Sequence, residues 1–210
     1  MKSETEEAEK FCKSEGIKHI VFEFNPLSVE EFKCNVPNRC YFCKKALFTQ
    51  IKNIAEKEGI CCVADGTNAD DLNDYRPGMK ALGELGISSP LLASGLQKNE
   101  IRSLSEALGL STFAKPSYAC LASRIAYGEE ITEIKLNMVD KAENKLHSLG
   151  FIQSRVRMHG LNARIEVNKS DFGKVLACSD EIFEYLKSLG FNFVSLDLGG
   201  YKTGNMNTQL

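Results

Sequence analysis

Two cysteines in Arg39-Cys40-Tyr41-Phe42-Cys43 and a third far downstream, in Tyr118-Ala119-Cys120-Leu121-Ala122-Ser123-Arg124, restrict what this chain can fold into. A Cys-x-x-Cys pair grips one soft metal centre from adjacent positions. For Cys120 to complete that grip, the fold must carry it back to the pair. Three thiolates are one short of a closed structural zinc site, which has four ligands. They suit an iron–sulfur cluster with one open iron, although four cysteines are the common count. Taken alone, the pair is also compatible with a redox-active or structural Cys-x-x-Cys.

The chain's other properties narrow the setting. Its 210 residues are 43% hydrophobic and 26% charged, enough for one large domain or two small ones. A net charge of −2 predicts no bulk attraction to nucleic acid, so any anion site is local. The eight cysteines are not spaced as a secreted disulfide framework, and no signal peptide precedes them. No apolar run approaches the ~18 residues of a membrane span. A reducing cytoplasm is the expected location. Cys61 and Cys62 fall in an apolar stretch that reads as a buried strand, and Cys12 and Cys178 fall in helical patterns. These four read as small packing residues. Cys34, just before the pair, stays open as a ligand.

The first part of the chain alternates. Residues 4–15 read as a helix stopped by Gly16, and 19–24 as a strand. Asn38 stands as N-cap of a helix over 39–58, with Leu47, Ile51, Ile54 and Ala55 at helical spacing. A strand at 60–65, an extended piece at 89–92 and a helix at 98–108 follow. That order predicts a parallel α/β sheet. The rest changes character. Residues 134–149 form an amphipathic helix with Lys135, Met138, Val139, Ala142, Leu146 and Leu149 along one face. A hairpin over 151–159 and 162–167 comes next, then a helix over 171–189 and a strand over 191–198. This α-β-β-α-β order predicts a separate small α+β module, with the boundary near 128–133.

Four features carry chemistry. If Asn38 caps its helix, Cys40 and Cys43 share a face of the first turn, where the positive helix end favours thiolate. Arg124 is a permanent cation four residues after Cys120, suited to holding a nucleotide phosphate or to lowering the thiol's pKa; a surface arginine beside a packed cysteine has the same pattern. The loop Asp65-Gly66-Thr67-Asn68-Ala69-Asp70-Asp71 follows a strand, where parallel sheets bind ligands, so Asn68 and Asp71 are candidate contacts to a nucleotide or magnesium. A solvated turn uses the same residue types. On the hairpin, alternation sets Arg155, Arg157 and His159 on one face, with Arg164 and Glu166 on the same face of the partner strand. This is either an anion site or a sheet face neutralised by cross-strand charge pairs.

Several ordered motifs together resemble one family. They are Arg39-Cys-Tyr-Phe-Cys-Lys-Lys-Ala-Leu-Phe48, Asp65-Gly-Thr-Asn-Ala-Asp-Asp71, Asp74-Tyr-Arg-Pro-Gly78, Lys115-Pro-Ser-Tyr-Ala-Cys-Leu-Ala-Ser-Arg124 with Tyr127-Gly128, Arg155-Val-Arg157, Ala163-Arg-Ile-Glu166 and Leu196-Asp-Leu-Gly-Gly200. The chain resembles the LarE family, ATP-dependent sulfur transferases of the PP-loop pyrophosphatase superfamily. The resemblance implies a Rossmann-like, adenine nucleotide alpha hydrolase-like parallel sheet over residues 1–130, missing its first strands. It implies a small α+β substrate or oligomerisation module over 131–210. It implies ATP and Mg2+ as cofactors, and adenylylation of a carboxylate of pyridinium-3,5-biscarboxylic acid mononucleotide. Displacement of AMP by sulfur then gives a thiocarboxylate for a nickel-pincer cofactor.

By the same resemblance, Cys40, Cys43 and Cys120 match the ligands of a 4Fe-4S cluster in three-cysteine members, with Cys120 the candidate catalytic residue. Asp65, Gly66, Asn68, Asp71 and Arg124 fall in nucleotide-binding motifs. Arg155 and Arg157 match residues near substrate phosphate, and Glu166 a residue near bound metal. A small nucleotide substrate and a homo-oligomer, hexameric in the family, are the implied partners, with no nucleic acid and no membrane. The family's Ser-Gly-Gly-x-Asp-Ser phosphate loop has no counterpart before the first helix, so a partner supplying that segment in trans is a further expectation. Lys202 stands where some members carry Arg. Two rival functions follow from the same residues: a PP-loop tRNA thiolation enzyme, and a non-catalytic zinc- or cluster-binding subunit.

Overall fold

The computed structural model describes residues 2–115, 119–202 and 205. Pro116, Ser117 and Tyr118, and the Thr203-Gly204 end of the last glycine-rich turn, lie outside the described residues. The architecture is mixed α/β. Helices α1 (Lys2–Ser14), α2 (Glu30–Lys33), α3 (Arg39–Lys57), α4 (Gly78–Glu84), α5 (Pro90–Ala93) and α6 (Lys98–Ala107) come first. Helix α7 (Glu133–Ser148), strands β1 (Ser154–His159) and β2 (Asn162–Val167), helices α8 (Phe172–Ala177) and α9 (Ser179–Ser188) and strand β3 (Phe193–Leu196) follow.

The second half holds the main core. Thr132 caps α7 by accepting from the Lys135 N–H, and Glu133 sits in its first turn. The stripe Val139, Ala142 and Leu146 is fully buried against Val156, Met158, Ala163, Ile165 and Val167 of the hairpin. Strand β1 pairs antiparallel with β2, and β2 pairs parallel with β3 in the order β1-β2-β3. The parallel step needs a crossover, which α8 and α9 supply. Both α7 and α9 end in Ser-Leu-Gly-Phe. At each end the phenylalanine N–H reaches back to a leucine carbonyl (Phe151 to Leu146, Phe191 to Leu186) while the glycine takes a positive φ. The two phenylalanines thereby turn into the core.

The first half departs from its expected sheet. The strand expected at 60–65 is reduced to a single parallel bridge, Ala64 to Ser88, and residues 19–24 run extended without a ladder. A strand exists only where a neighbour takes its backbone groups, and no described segment forms a ladder with 19–24. Ile17, Ile20, Val21 and Ile60 are accordingly exposed, as are Cys61 and Cys62, which the sequence suggests are buried. The piece at 89–92 is a helical turn, not extended, because Pro90 takes the first helical position, where its missing N–H costs nothing. The helix expected over 171–189 breaks at Cys178 into α8 and α9.

A second, smaller cluster joins Phe32, Ala122, Ile125 and Ile131, with Cys43 and Leu136 packed against it. It ties the start of α3 to the segment after Cys120. Among the described residues, no helix is long and apolar enough to cross a membrane.

Candidate thiol and arginine site

Cys40 and Cys43 occupy the first turn of α3, as the sequence predicts. Asn38 stands at the N-cap position, but its side chain accepts no capping hydrogen bond. Cys40 and Cys120 are exposed and Cys43 is half-buried. The Cys43 thiol is pushed up to about 11, first by burial and then by Cys120 and Cys40. Crowding around the Cys40 sulfur raises its pKa too, with Cys120 adding to the rise and Arg39, Lys44 and Arg76 opposing it. Cys120 contributes to both rises, and the segment that follows it packs on the start of α3, with Cys43 against Ala122 and Ile125. Among the described residues, no group of three His, Cys, Asp or Glu side chains closes tightly enough to hold a single metal ion. A cluster makes a looser demand, because each cysteine then ligates a different iron.

Cys34, left open by the sequence, directs its thiol to Glu30 at 3.3 Å. Cys62 lies 3.6 Å from the Ser88 hydroxyl, and Cys178 packs against the main core.

Cys120 precedes a 3-10 turn, Leu121–Arg124. Arg124 is 2% exposed and spends its donors inside the protein. Its Nε and Nη2 make a two-pronged pair with Glu143 of α7 at 2.9 and 3.0 Å. Its Nη1 donates to the Ala119 carbonyl at 3.1 Å and to Ser123 Oγ at 2.8 Å. In this arrangement Arg124 tethers the Cys120 loop to α7. Glu143 also accepts the Val156 N–H at 3.0 Å, which occupies the outer edge of β1. The sequence reading missed Glu143. The available signal was a carboxylate inside the apolar stripe, four residues after Val139 and three before Leu146.

The Asp65–Asp71 loop lies beside α3. Asp65 accepts from Ser89 Oγ at 2.6 Å and from Thr67 Oγ1, and Lys44 of α3 approaches it at 3.6 Å. The hydroxyl bonds and Lys44 hold its carboxyl below the usual range despite partial burial. Asp71 accepts the Asn68 N–H at 3.0 Å while Asn68 accepts from Asp70, closing a capping box. Arg76 pairs with Asp71 at 2.9 Å and with Asp74 at 3.4 Å. Gly66 has open space where a side chain would stand.

On the hairpin, Arg155 lies opposite Glu166 and Arg157 opposite Arg164. Glu166, fully buried, accepts from Arg157 Nε at 3.0 Å, Arg164 Nη2 at 3.3 Å and Asn205 Nδ2 at 2.6 Å. Arg157 also donates to the Ser123 carbonyl at 2.9 Å, so the arginine face docks on the Cys120 loop. Burial lowers the Arg157 pKa, and Glu166 opposes that loss. Arg155 donates to the Ser154 carbonyl at 2.7 Å and lies 5.4 Å from the Tyr201 ring. His159 ends this face; burial, and then Arg164, lower its pKa. Three carboxylates, Glu143, Glu166 and Asp197 (3.4 Å from Arg164 Nε), meet the four arginines Arg124, Arg155, Arg157 and Arg164, which leaves a local positive excess of one charge.

No protein-family model matches the chain. Three curated proteins are similar to it. An uncharacterized protein of Synechocystis is 40% identical over 209 residues, 99% of this chain and 78% of that one. The pyridinium-3,5-bisthiocarboxylic acid mononucleotide synthase of Lactiplantibacillus plantarum is 40% identical over 184 residues, 88% of this chain and 67% of that one. An uncharacterized protein of Methanocaldococcus jannaschii is 32% identical over 177 residues, 84% of this chain and 69% of that one.

Proposed function

The chain belongs to the LarE family of sulfur-transferring synthases, and from that premise we propose that it puts sulfur on an activated carboxylate of a pyridinium mononucleotide. The reaction has two steps. A carboxylate oxygen attacks the α-phosphorus of ATP, and pyrophosphate leaves. A sulfur nucleophile then attacks the acyl carbon, the C–O bond to AMP breaks, and a thiocarboxylate remains. Activation is needed because carboxylate oxygen is otherwise a poor leaving group.

The observation that carries this reading is the return of the segment after Cys120 to the start of α3, where Cys43 packs with Ala122 and Ile125. Their donor set fits an iron–sulfur cluster: three soft ligands, with Arg39, Lys44 and Arg76 offsetting the charge that forms at Cys40. When bound, a 4Fe-4S cluster held by three cysteines supplies an open iron for sulfide. Arg155 binds the substrate phosphate, supported by Arg157, whose own charge Glu166 partly neutralises. Asp65, Gly66, Asn68 and Asp71 form the loop that would hold ATP and Mg2+, and the open space at Gly66 would let a phosphate approach the backbone. In that reading, the Ala64–Ser88 bridge belongs to a Rossmann-like parallel sheet in residues 1–130.

Anaerobic reconstitution with iron and sulfide should give a broad absorption near ~400 nm. Cys40→Ala, Cys43→Ala and Cys120→Ala should each lose it. The loaded protein, given ATP, Mg2+ and the biscarboxylic mononucleotide, should release AMP and exchange one oxygen of the substrate for sulfur. Bound zinc without sulfur transfer, or an absorption that all three variants retain, refutes the reading.

A further inference from the structure

Asn35 lies in neither the thiol set nor the arginine face, yet it is fully buried. It is the only non-glycine residue with a positive φ among the described residues, at 55°. That backbone state is unfavourable for a side-chain-bearing residue, although asparagine tolerates it best, and it persists where the surroundings impose it. The surroundings here are the segment that follows Cys120. Asn35 Nδ2 donates to the Ala126 carbonyl at 2.7 Å and to the Ile125 carbonyl at 3.3 Å. The Asn35 carbonyl accepts the Gly128 N–H at 3.1 Å, and the Lys33 carbonyl accepts the Ile131 N–H at 2.7 Å.

A second buried group reinforces the clasp. Arg39, 3% exposed and adjacent to Cys40, holds its guanidinium 4.4 Å from the centre of the Tyr127 ring. Below both contacts, Phe32 and Cys43 pack with Ala122, Ile125 and Ile131. The two segments joined here carry all three thiols. Cys40 and Cys43 lie on the rigid first turn of α3, a few residues past Asn35. Cys120 leads directly into the turn Leu121–Arg124, which Glu143 and Arg157 fix from the other side. Little freedom is left between the clasp and any of the sulfurs.

We propose that Asn35 is a positioning residue that sets the separation between the Cys40–Cys43 pair and Cys120, with the Arg39–Tyr127 stack as its second contact. This rests on the reading that the three thiols serve one centre.

The test uses the full chain in two measurements. The first needs no iron: dibromobimane is added and the bridged cysteine peptides are mapped by mass spectrometry. The unsubstituted protein should bridge Cys120 to Cys40 or Cys43. Asn35→Gly keeps the left-handed backbone and its main-chain bond to Gly128 and deletes the two side-chain bonds, while Asn35→Asp keeps the shape and deletes the donors. Both should lower the bridging rate, by up to about 100-fold for a misplacement of about 1 Å. Arg39→Lys, a milder change, should lower it less and serves if the others fail to fold. The second measurement is the ~400 nm absorption after reconstitution, which should weaken or shift in the Asn35 variants at unchanged far-ultraviolet circular dichroism. Folded variants with undiminished bridging and the same absorption overturn the role of Asn35. An unsubstituted protein that bridges but forms no cluster defeats the cluster reading and leaves the clasp tested by the first measurement. An unsubstituted protein that forms no bridge defeats both.

Discussion

Cys43 carries opposite demands in one side chain. It packs in a small apolar cluster with Phe32 and Ile125, and it faces two other thiols. Both surroundings oppose ionisation, and its pKa rises to about 11. The thiol is therefore neutral near neutrality and becomes a ligand only as a metal centre displaces its proton. The consequence can be read by alkylation. An ordinary cysteine, with a pKa of about 8.5, levels off in its rate with iodoacetamide by roughly pH 9.5. Cys43, followed by peptide mapping, should still be gaining reactivity above that pH. A plateau there would remove the assignment of burial and neighbouring thiols as its environment. Arg124 shows the other face of the same physics. Its position after Cys120 is visible in the sequence, but whether such a guanidinium meets a ligand or an internal carboxylate depends on a residue nineteen positions away. Glu143 looks solvent-facing only until the stripe around it is seen to be buried.

The elements divide by how local their causes are. Helices α3, α6 and α7 were legible because helical spacing and the glycine that follows each are local to the element. The hairpin was legible too, and its register places the arginines and Glu166 on the face that alternation predicts. Strands at 19–24 and 60–65 were not, because a ladder depends on a neighbour that local sequence does not contain. The packing of α4 on α3 was equally hidden, since it turns on one glycine. Gly78 opens α4 at a point where an added Cβ would stand 2.7 Å from Lys44 Cδ and 3.3 Å from the Cys40 carbonyl oxygen. Its φ is not in the left-handed region, so the constraint is purely one of space. Gly78→Val should cost about 1–3 kcal/mol, the range for overpacking, and should loosen the Lys44–Asp65 pair beside the Cys40 turn. Gly66, with nothing within 4 Å, is the control: Gly66→Ala should leave stability unchanged or slightly raised. Urea denaturation of the two variants compares them directly. Equal midpoints would mean that α4 and α3 do not approach as closely as described.

Across the whole molecule, the Cys120 loop is where the two halves of the chain meet. On one side Asn35 holds Ile125 and Ala126. On the other, the Ala126 N–H donates to the Met158 carbonyl, so this segment covers the outer edge of β1 at Met158. Glu143 joins both parts of that cover, receiving Arg124 from the loop and the Val156 N–H from the strand. Glu143 and Arg124 are 5% and 2% exposed, so water cannot replace either partner. Removing one charge of such a pair strands the other, at a cost of about 3–5 kcal/mol. Glu143→Ala should therefore destabilise the chain by that amount in urea denaturation. Glu181→Ala, which removes an exposed carboxylate paired with Lys145, should cost about 1 kcal/mol or less. Replacing both Glu143 and Arg124 by Met should recover much of the loss, because no unpaired charge remains. Yet that double variant should not recover the bridging of Cys120 to the thiol pair, since the Ala119 and Ser123 contacts of Arg124 disappear with it. Recovery of stability together with full bridging would show that the buried pair holds the fold and has no part in placing the sulfur.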